Sequence, residues 1–259
     1  MRIFLISIIV WTLSFPLTAQ NISGRAFYTS MYKFEDAELS AEQLQDPRMQ
    51  AMAEQLKKPF LDEYELEFTE NESVFKKLPK LEKPEPNKGG IQISMSLMSD
   101  DEILYKNLKE DIYLNDSELY GKKFLISDTS EKVNWKLEKE SKTIGDYVCF
   151  KATYEKTSET SDPEDSNPEE PELVTAWYTP QIPVKNGPKE YDGLPGLILE
   201  VHNGRMKMVC NKIILNPAEP VQIIKPSKGK EVSRKEFNSI MAKKNEEQME
   251  NFKSRKSRD

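Results

Sequence analysis

Tyr64-Glu65-Leu66-Glu67-Phe68-Thr69, followed by Glu70-Asn71-Glu72 and Ser73-Val74-Phe75, is the stretch that decides the fold class. Tyr64, Leu66 and Phe68 alternate with Glu65, Glu67 and Thr69, so an extended chain would present one apolar and one acidic face. The polar trio Glu70-Asn71-Glu72 then turns the chain toward a second apolar run. A helix would scatter those three apolar side chains around its axis. The spacing therefore predicts a strand, a turn and a return strand.

The same period of two recurs outward in both directions. Ala26–Tyr32 reads as a first strand, and Ile91, Ile93, Met95 and Leu97 alternate with polar neighbours. Further strands are expected at Ile103–Leu108, Asp111–Leu114, Lys123–Ser127, Val133–Glu138, Tyr147–Tyr154, Leu173–Tyr178, Leu197–His202 and Met206–Leu215. Short, closely spaced strands with one polar face predict a mainly β fold, an antiparallel sheet with one side toward water.

Two segments break the alternation. Ser40-Ala41-Glu42-Gln43 has capping-box spacing, and Leu44, Met52 and Leu56 follow at helical intervals, with Pro47 as a kink. A short helical segment is therefore expected near residues 40–57. Ser233-Arg234-Lys235-Glu236 is a second capping box, and Phe237, Ile240, Met241, Met249 and Phe252 trace a stripe that predicts a C-terminal helix docked on the sheet. Two stretches read as unstructured: Lys77–Gly90, thick with Lys, Pro and Gly, and Glu155–Glu172, almost wholly acidic, Ser/Thr and Pro.

The opening residues read as an export signal. Arg2 precedes an apolar run from Ile3 to Leu13, broken by Pro16 and closed by Leu17-Thr18-Ala19. That run is shorter than the ~18–20 apolar residues that span a bilayer. Cleavage after Ala19 is expected, with residues 1–19 as signal peptide, 20–225 as the β-rich domain and 226–259 as C-terminal helix and basic tail. Periplasm is the expected address, with outer-membrane association or secretion as alternatives.

Composition narrows the chemistry. Charged residues make up 31% of the chain and the net charge is −7, without a basic stripe, which argues against nucleic acid. His202 is the one histidine, so a Cys/His zinc site is not expected. The acidic stretch lacks the glycine and spacing of a calcium loop. No metal and no cofactor are expected, and no transmembrane segment after signal cleavage. Cys149 and Cys210 read equally as a disulfide on neighbouring strands or as buried thiols.

The informative segment runs from Ile144 to Glu200. It contains Gly145-Asp146-Tyr147, Cys149, Lys151-Ala152, Ala176-Trp177-Tyr178, Ile182-Pro183, Gly187-Pro188 and Asp192-Gly193-Leu194-Pro195-Gly196-Leu197-Ile198-Leu199-Glu200. Pro180, Pro183 and Pro188 prevent the crossover from pairing as a central strand. With Gly193-Leu194-Pro195-Gly196-Leu197-Ile198 at its centre, the segment resembles the GLPGLI (Porph_ging-type) family of exported Bacteroidota proteins, an uncharacterised family. The resemblance implies an exported, mostly β protein without an established activity, encoded beside outer-membrane TonB-dependent receptors. It also implies a strand order similar to the curved half-barrel of periplasmic lipoprotein carriers.

Three functions stay open on this reading. The first is a non-enzymatic envelope binding or accessory protein, serving a TonB-dependent system, with an envelope protein or an apolar ligand as partner. Its candidate binding residues are Trp177, Tyr178, Gly187, Pro188, Gly193, Leu194, Pro195, Gly196, Leu197, Ile198 and Glu200, which equally suit core packing. The second is a half-barrel carrier of a lipid or other apolar ligand, lined by Met95 and Leu97 or Met206 and Met208. The third is an envelope hydrolase built on Asp192, Glu200, His202 and Arg205.

Overall fold

The computed structural model describes residues 22–33, 49–50, 58–79, 102–128, 133–156 and 171–256. The expected signal peptide, the alternating stretch 91–97 and residues 80–90 and 157–170 lie outside them. So does most of the expected helix near 40–57, of which Met49 and Gln50 are described and helical.

The hairpin expected from Tyr64 to Phe75 forms as β2 (Phe60–Phe68) and β3 (Glu72–Lys77). Leu66 lies opposite Phe75 and Phe68 opposite Ser73. Tyr64, Leu66, Phe68 and Phe75 are fully buried, and the Tyr64 and Phe75 rings stack at 5.1 Å. Each such side chain contributes about 1.5–3 kcal/mol through burial. The acidic alternates face the other way. Glu65 and Glu67 hold Arg25 of β1 (Gly24–Tyr32) at 3.9 and 3.0 Å and Lys76 of β3 at 3.1 and 3.4 Å. Thr69 closes the turn: its backbone N–H donates to the Glu72 carbonyl at 2.8 Å, and its Oγ1 accepts from the Glu72 N–H at 3.1 Å.

The chain continues through β4 (Ile103–Asn107), β5 (Ile112–Leu119), β6 (Lys122–Asp128), β7 (Lys136–Ile144), β8 (Tyr147–Lys156), β9 (Glu172–Thr179), β10 (Leu197–Asn203), β11 (Met206–Leu215) and β12 (Lys230–Val232). Together they make one twelve-stranded sheet in the order β12-β6-β5-β4-β3-β2-β1-β11-β10-β9-β8-β7. Every neighbouring pair is antiparallel except β12 with β6. The sheet is mainly β as expected and is not closed into a barrel; β12 and β7 are its edges.

Several boundaries differ from the sequence reading, among them β5, which spans Ile112–Leu119 rather than Asp111–Leu114. β7 covers Lys136–Ile144 rather than Val133–Glu138, with a register shift between Leu137 and Ser141. Lys-Leu-Glu-Lys-Glu-Ser-Lys has no alternation because an edge strand exposed to water need not have one. The expected unstructured stretch 155–172 loses both its ends: Glu155 pairs with Leu173 and Lys156 with Glu172, extending β8 and β9. Ladder hydrogen bonds form through the backbone and tolerate acidic side chains. Lys77 likewise ends β3, buried beside Asp62 at 3.4 Å. β12 has three residues, too few to show any period.

The C-terminal helix α1 spans Arg234–Lys256. Its capping box is reciprocal: Ser233 N–H donates to Glu236 Oε2 at 2.9 Å, and Glu236 N–H donates to Ser233 Oγ at 3.2 Å. Phe237 and Ile240 pack against Phe124, Ile126 and Val232, with the Phe124 and Phe237 rings edge-on at 5.4 Å. Met241 is exposed, so the docked stripe is short. The side chains of Met249 and Phe252 lie outside what is described. Among the described residues no helix is long and apolar enough to cross a membrane.

Candidate functional site

The connection Pro180–Gly196 leaves β9 and enters β10, yet its middle touches β4 and β5, five and six places along the sheet. A flat sheet would hold those strands out of reach, so the sheet must curl for the contact to exist. The connection lies over the inward face and becomes part of the core. Ile182 and Val184 join the cluster around Tyr28, Phe68 and Phe75. Tyr191 and Leu194 join a second cluster with Ala176, Tyr178 and Val201.

A buried ion pair fastens this crossing. Lys106 of β4 is fully buried, and its Nζ donates to the carbonyls of Gly187 at 3.1 Å and Tyr191 at 3.5 Å. It also stands 3.5 Å from Asp192 Oδ2, which accepts a 2.8 Å bond from the Tyr113 hydroxyl of β5. The Asp192 carbonyl accepts from Trp135 Nε1 at 2.8 Å. Burial holds the Lys106 ammonium below its ordinary pKa, and the Asp192 charge opposes that shift.

The residues singled out from sequence are placed as follows. Trp177 is 9% exposed, with Lys142 Nζ 4.2 Å above its ring, in the same cluster as Leu197. Tyr178 packs with Ile198 and Leu194 in the other cluster, so the expected aromatic and aliphatic groups divide between two packed regions. Pro188 accepts a bond from the Tyr191 N–H, and the Gly193 N–H donates to the Lys185 carbonyl at 3.0 Å. Pro195 is exposed. Gly196 sits where a Cβ would lie 2.1 Å from the Thr179 carbonyl oxygen, so only glycine fits. Glu200 is buried and binds Lys142 at 2.8 Å and Lys207 at 3.3 Å.

The expected hydrolase group is thus dispersed. Asp192 and Glu200 are each committed to lysines, whereas His202 and Arg205 are exposed toward the end of β10 and its turn. Nothing in sequence spacing revealed Lys106 and Tyr113. The one available signal was a lysine in phase with Leu104, directly after the apolar run Ile103-Leu104-Tyr105.

Cys149 and Cys210 are free and buried, on β8 and β11 with β9 and β10 between them. Of the two sequence readings, the structure has the buried thiols: the cysteines share one hydrophobic cluster but stand on strands that are not neighbours. Burial pushes the thiols up to about 11 and about 12, with the Lys142 charge partly opposing this at Cys149. Raised folded values mean that the thiols favour the folded state below their ordinary pKa of about 9. That contribution falls as pH climbs through 9 toward 11–12. Iodoacetamide at pH 8 should therefore leave both cysteines of the folded protein unmodified and alkylate both in denaturant, as read by intact mass. Rapid labelling of the native protein would contradict the burial described.

A different place is open to solvent. A cleft of about 440 Å³ lies where β1, β8, β9 and the β10–β11 turn meet the crossover. Tyr32, Tyr191 and Met206 supply its apolar surface, and Asn203 Nδ2 donates to the Tyr191 hydroxyl at 2.9 Å. Lys156 and Glu190 form a loose pair at 3.9 Å on its rim. Lys189, Arg205 and Glu172 complete the charged lining.

An open, mostly antiparallel sheet with its own crossover packed across one face is the class these features define. The family model described as a protein of unknown function (Porph_ging) matches residues 135–200, the stretch on which the GLPGLI resemblance rests. No curated protein matches the chain. Two solved structures of PNGF-II are similar in fold: the C2 form at 13% identity with a TM-score of 0.52 over 86% of this chain, and the P21 form at 13% identity with a TM-score of 0.51 over 85%. The chain spans 33% of each of those solved chains, and likeness at this identity concerns the fold alone.

Proposed function

We propose that this chain is an exported, non-enzymatic binding or accessory protein of the cell envelope, serving a TonB-dependent outer-membrane system, and that it engages its partner at the open cleft. One observation carries the reading. Trp177, Tyr178, Leu194, Leu197 and Ile198, together with the Asp192 and Glu200 carboxylates, are committed inside the fold, whereas Lys189, Glu190 and Tyr191 of the same segment line an open cleft. The export signal, the periplasmic address and the receptor system come from the sequence and its family resemblance.

The carrier reading fits less well, because Pro180–Gly196 occupies the inward face that an apolar ligand would need. The test is site-specific photo-crosslinking in intact cells, with the crosslinker at Lys189 in the cleft or at Glu118, exposed on β5. A discrete adduct in the envelope fraction from position 189, missing from position 118 and lost with Arg205→Glu, is expected. Equal adducts from both positions, or none from 189, would overturn the proposal. A lipid retained in native mass spectra would favour the carrier instead.

A further inference from the structure

Besides the Lys156 and Glu190 pair on its rim, the cleft is lined by charges of both signs that no ion pair joins. Lys189, Arg205 and Glu172 make no ion pair among the described residues, although all three line the same space. Some charges elsewhere are paired, as in the Arg25, Glu65, Glu67 and Lys76 network and the two lysines on Glu200.

Their positions are set by backbone. Glu172 opens β9, and its Oε1 fills the space over Gly204 that a Cβ would need, at 1.8 Å. This fixes the carboxylate over the β10–β11 turn. Arg205 is the next residue of that turn, and its carbonyl accepts from the Lys33 N–H at 3.3 Å. Lys189 has a left-handed backbone (φ 49°), unusual for a residue with a side chain. The Tyr191 hydroxyl and Asn203, whose buried Oδ1 has no hydrogen-bond partner, line the same cleft. A cleft of this volume suits a small molecule.

We infer that the cleft takes a small zwitterionic ligand of the unblocked amino-acid or short-peptide class. Its carboxylate sits between Lys189 and Arg205, its ammonium meets Glu172, and its side chain lies on Tyr32 and Met206. A simple anion would leave Glu172 facing like charge, and a simple cation would face Lys189 and Arg205. A zwitterion satisfies both sides. This names the ligand of the proposed binding site and rests on that reading.

Alanyl-leucine, its N-acetyl form, its C-terminal amide and inorganic phosphate are the probes, titrated into the full chain by calorimetry or NMR. Unblocked alanyl-leucine should bind, and blocking either end should weaken it about tenfold, the equivalent of one charged contact. Glu172→Gln should remove the penalty for N-acetylation alone, and Arg205→Gln the penalty for amidation alone. Both changes are at polar surface sites, and thermal melting checks that the fold persists. Equal binding of the blocked forms, phosphate binding as tight as the dipeptide, or no dipeptide binding would overturn the assignment. A cleft-specific crosslink that survives such a failure would leave the broader binding role standing with a different ligand.

Discussion

Replacing Asp192 by alanine should destabilise the protein by about 3–5 kcal/mol, because it strands the Lys106 ammonium in the interior without a counter-charge. Lys106 is wholly enclosed, and the two carbonyls that remain at 3.1 and 3.5 Å cannot replace a carboxylate. The Tyr113 hydroxyl loses its acceptor as well. Chemical denaturation gives the magnitude, and the double variant Lys106→Met/Asp192→Leu should recover most of the loss, since a packed apolar pair needs no charge compensation. The pH dependence has a definite sign. The folded Lys106 pKa lies below the ordinary 10.5, so in that window the unfolded chain binds more protons and stability rises with pH. Without Asp192, which holds the Lys106 pKa up, the window extends to lower pH. The deficit of Asp192→Ala should therefore shrink between pH 7 and pH 10. A deficit that is small and flat with pH would mean that Lys106 is already neutral in the folded protein.

Gly196→Ala is the second large effect. The added methyl would meet the Thr179 carbonyl oxygen at 2.1 Å and its carbon at 2.5 Å, and both atoms belong to backbone at the end of β9. That backbone has little freedom to yield. The Gly196 N–H donates to the Leu194 carbonyl at 2.8 Å, and the neighbouring Leu197 N–H donates to the Ile182 carbonyl at 2.9 Å. Overpacking costs of about 1–3 kcal/mol are usual where side chains can shift. Here the upper end applies, so the melting temperature should fall by ~6–12 °C for a protein of this size. An unchanged melting temperature would show that the junction between β9 and the crossover adjusts. In Gly193-Leu194-Pro195-Gly196, the glycine nearest β10 is thus held by sterics that only the folded chain reveals.

Sequence and structure agree where interactions are local. Period-two alternation places β2 and β11 because each of these strands buries one face beside its immediate neighbours. The Ser233–Glu236 cap is equally local and forms as expected. The disagreements come from distance along the chain. Lys106 meets Asp192 across 86 residues, and no spacing rule connects them. β7 takes its register from β8 and the sheet edge rather than from its own side chains. The cleft draws residues from β1, β8, β9 and the β10–β11 turn, so its charges become a set only when the sheet is assembled. The motif residues were legible as special, but their burial turns the emphasis from recognition to architecture.

The pairing of β1 with β11 governs how the chain can reach this structure. Gly24 lies opposite Leu215, and the Tyr28 hydroxyl bonds the Ile198 carbonyl across 170 residues. β1 can pair with β2 early, but its other side stays vacant until the β11 residues are available. The Lys106 cradle likewise stays open until the crossover is laid across it. A topology of such long-range closures has high contact order, for which slow, late-committing folding is expected. Refolding should therefore pass through a state in which the β2–β5 meander exists and the inward face is bare, and the final step is the seating of the proline-rich crossover.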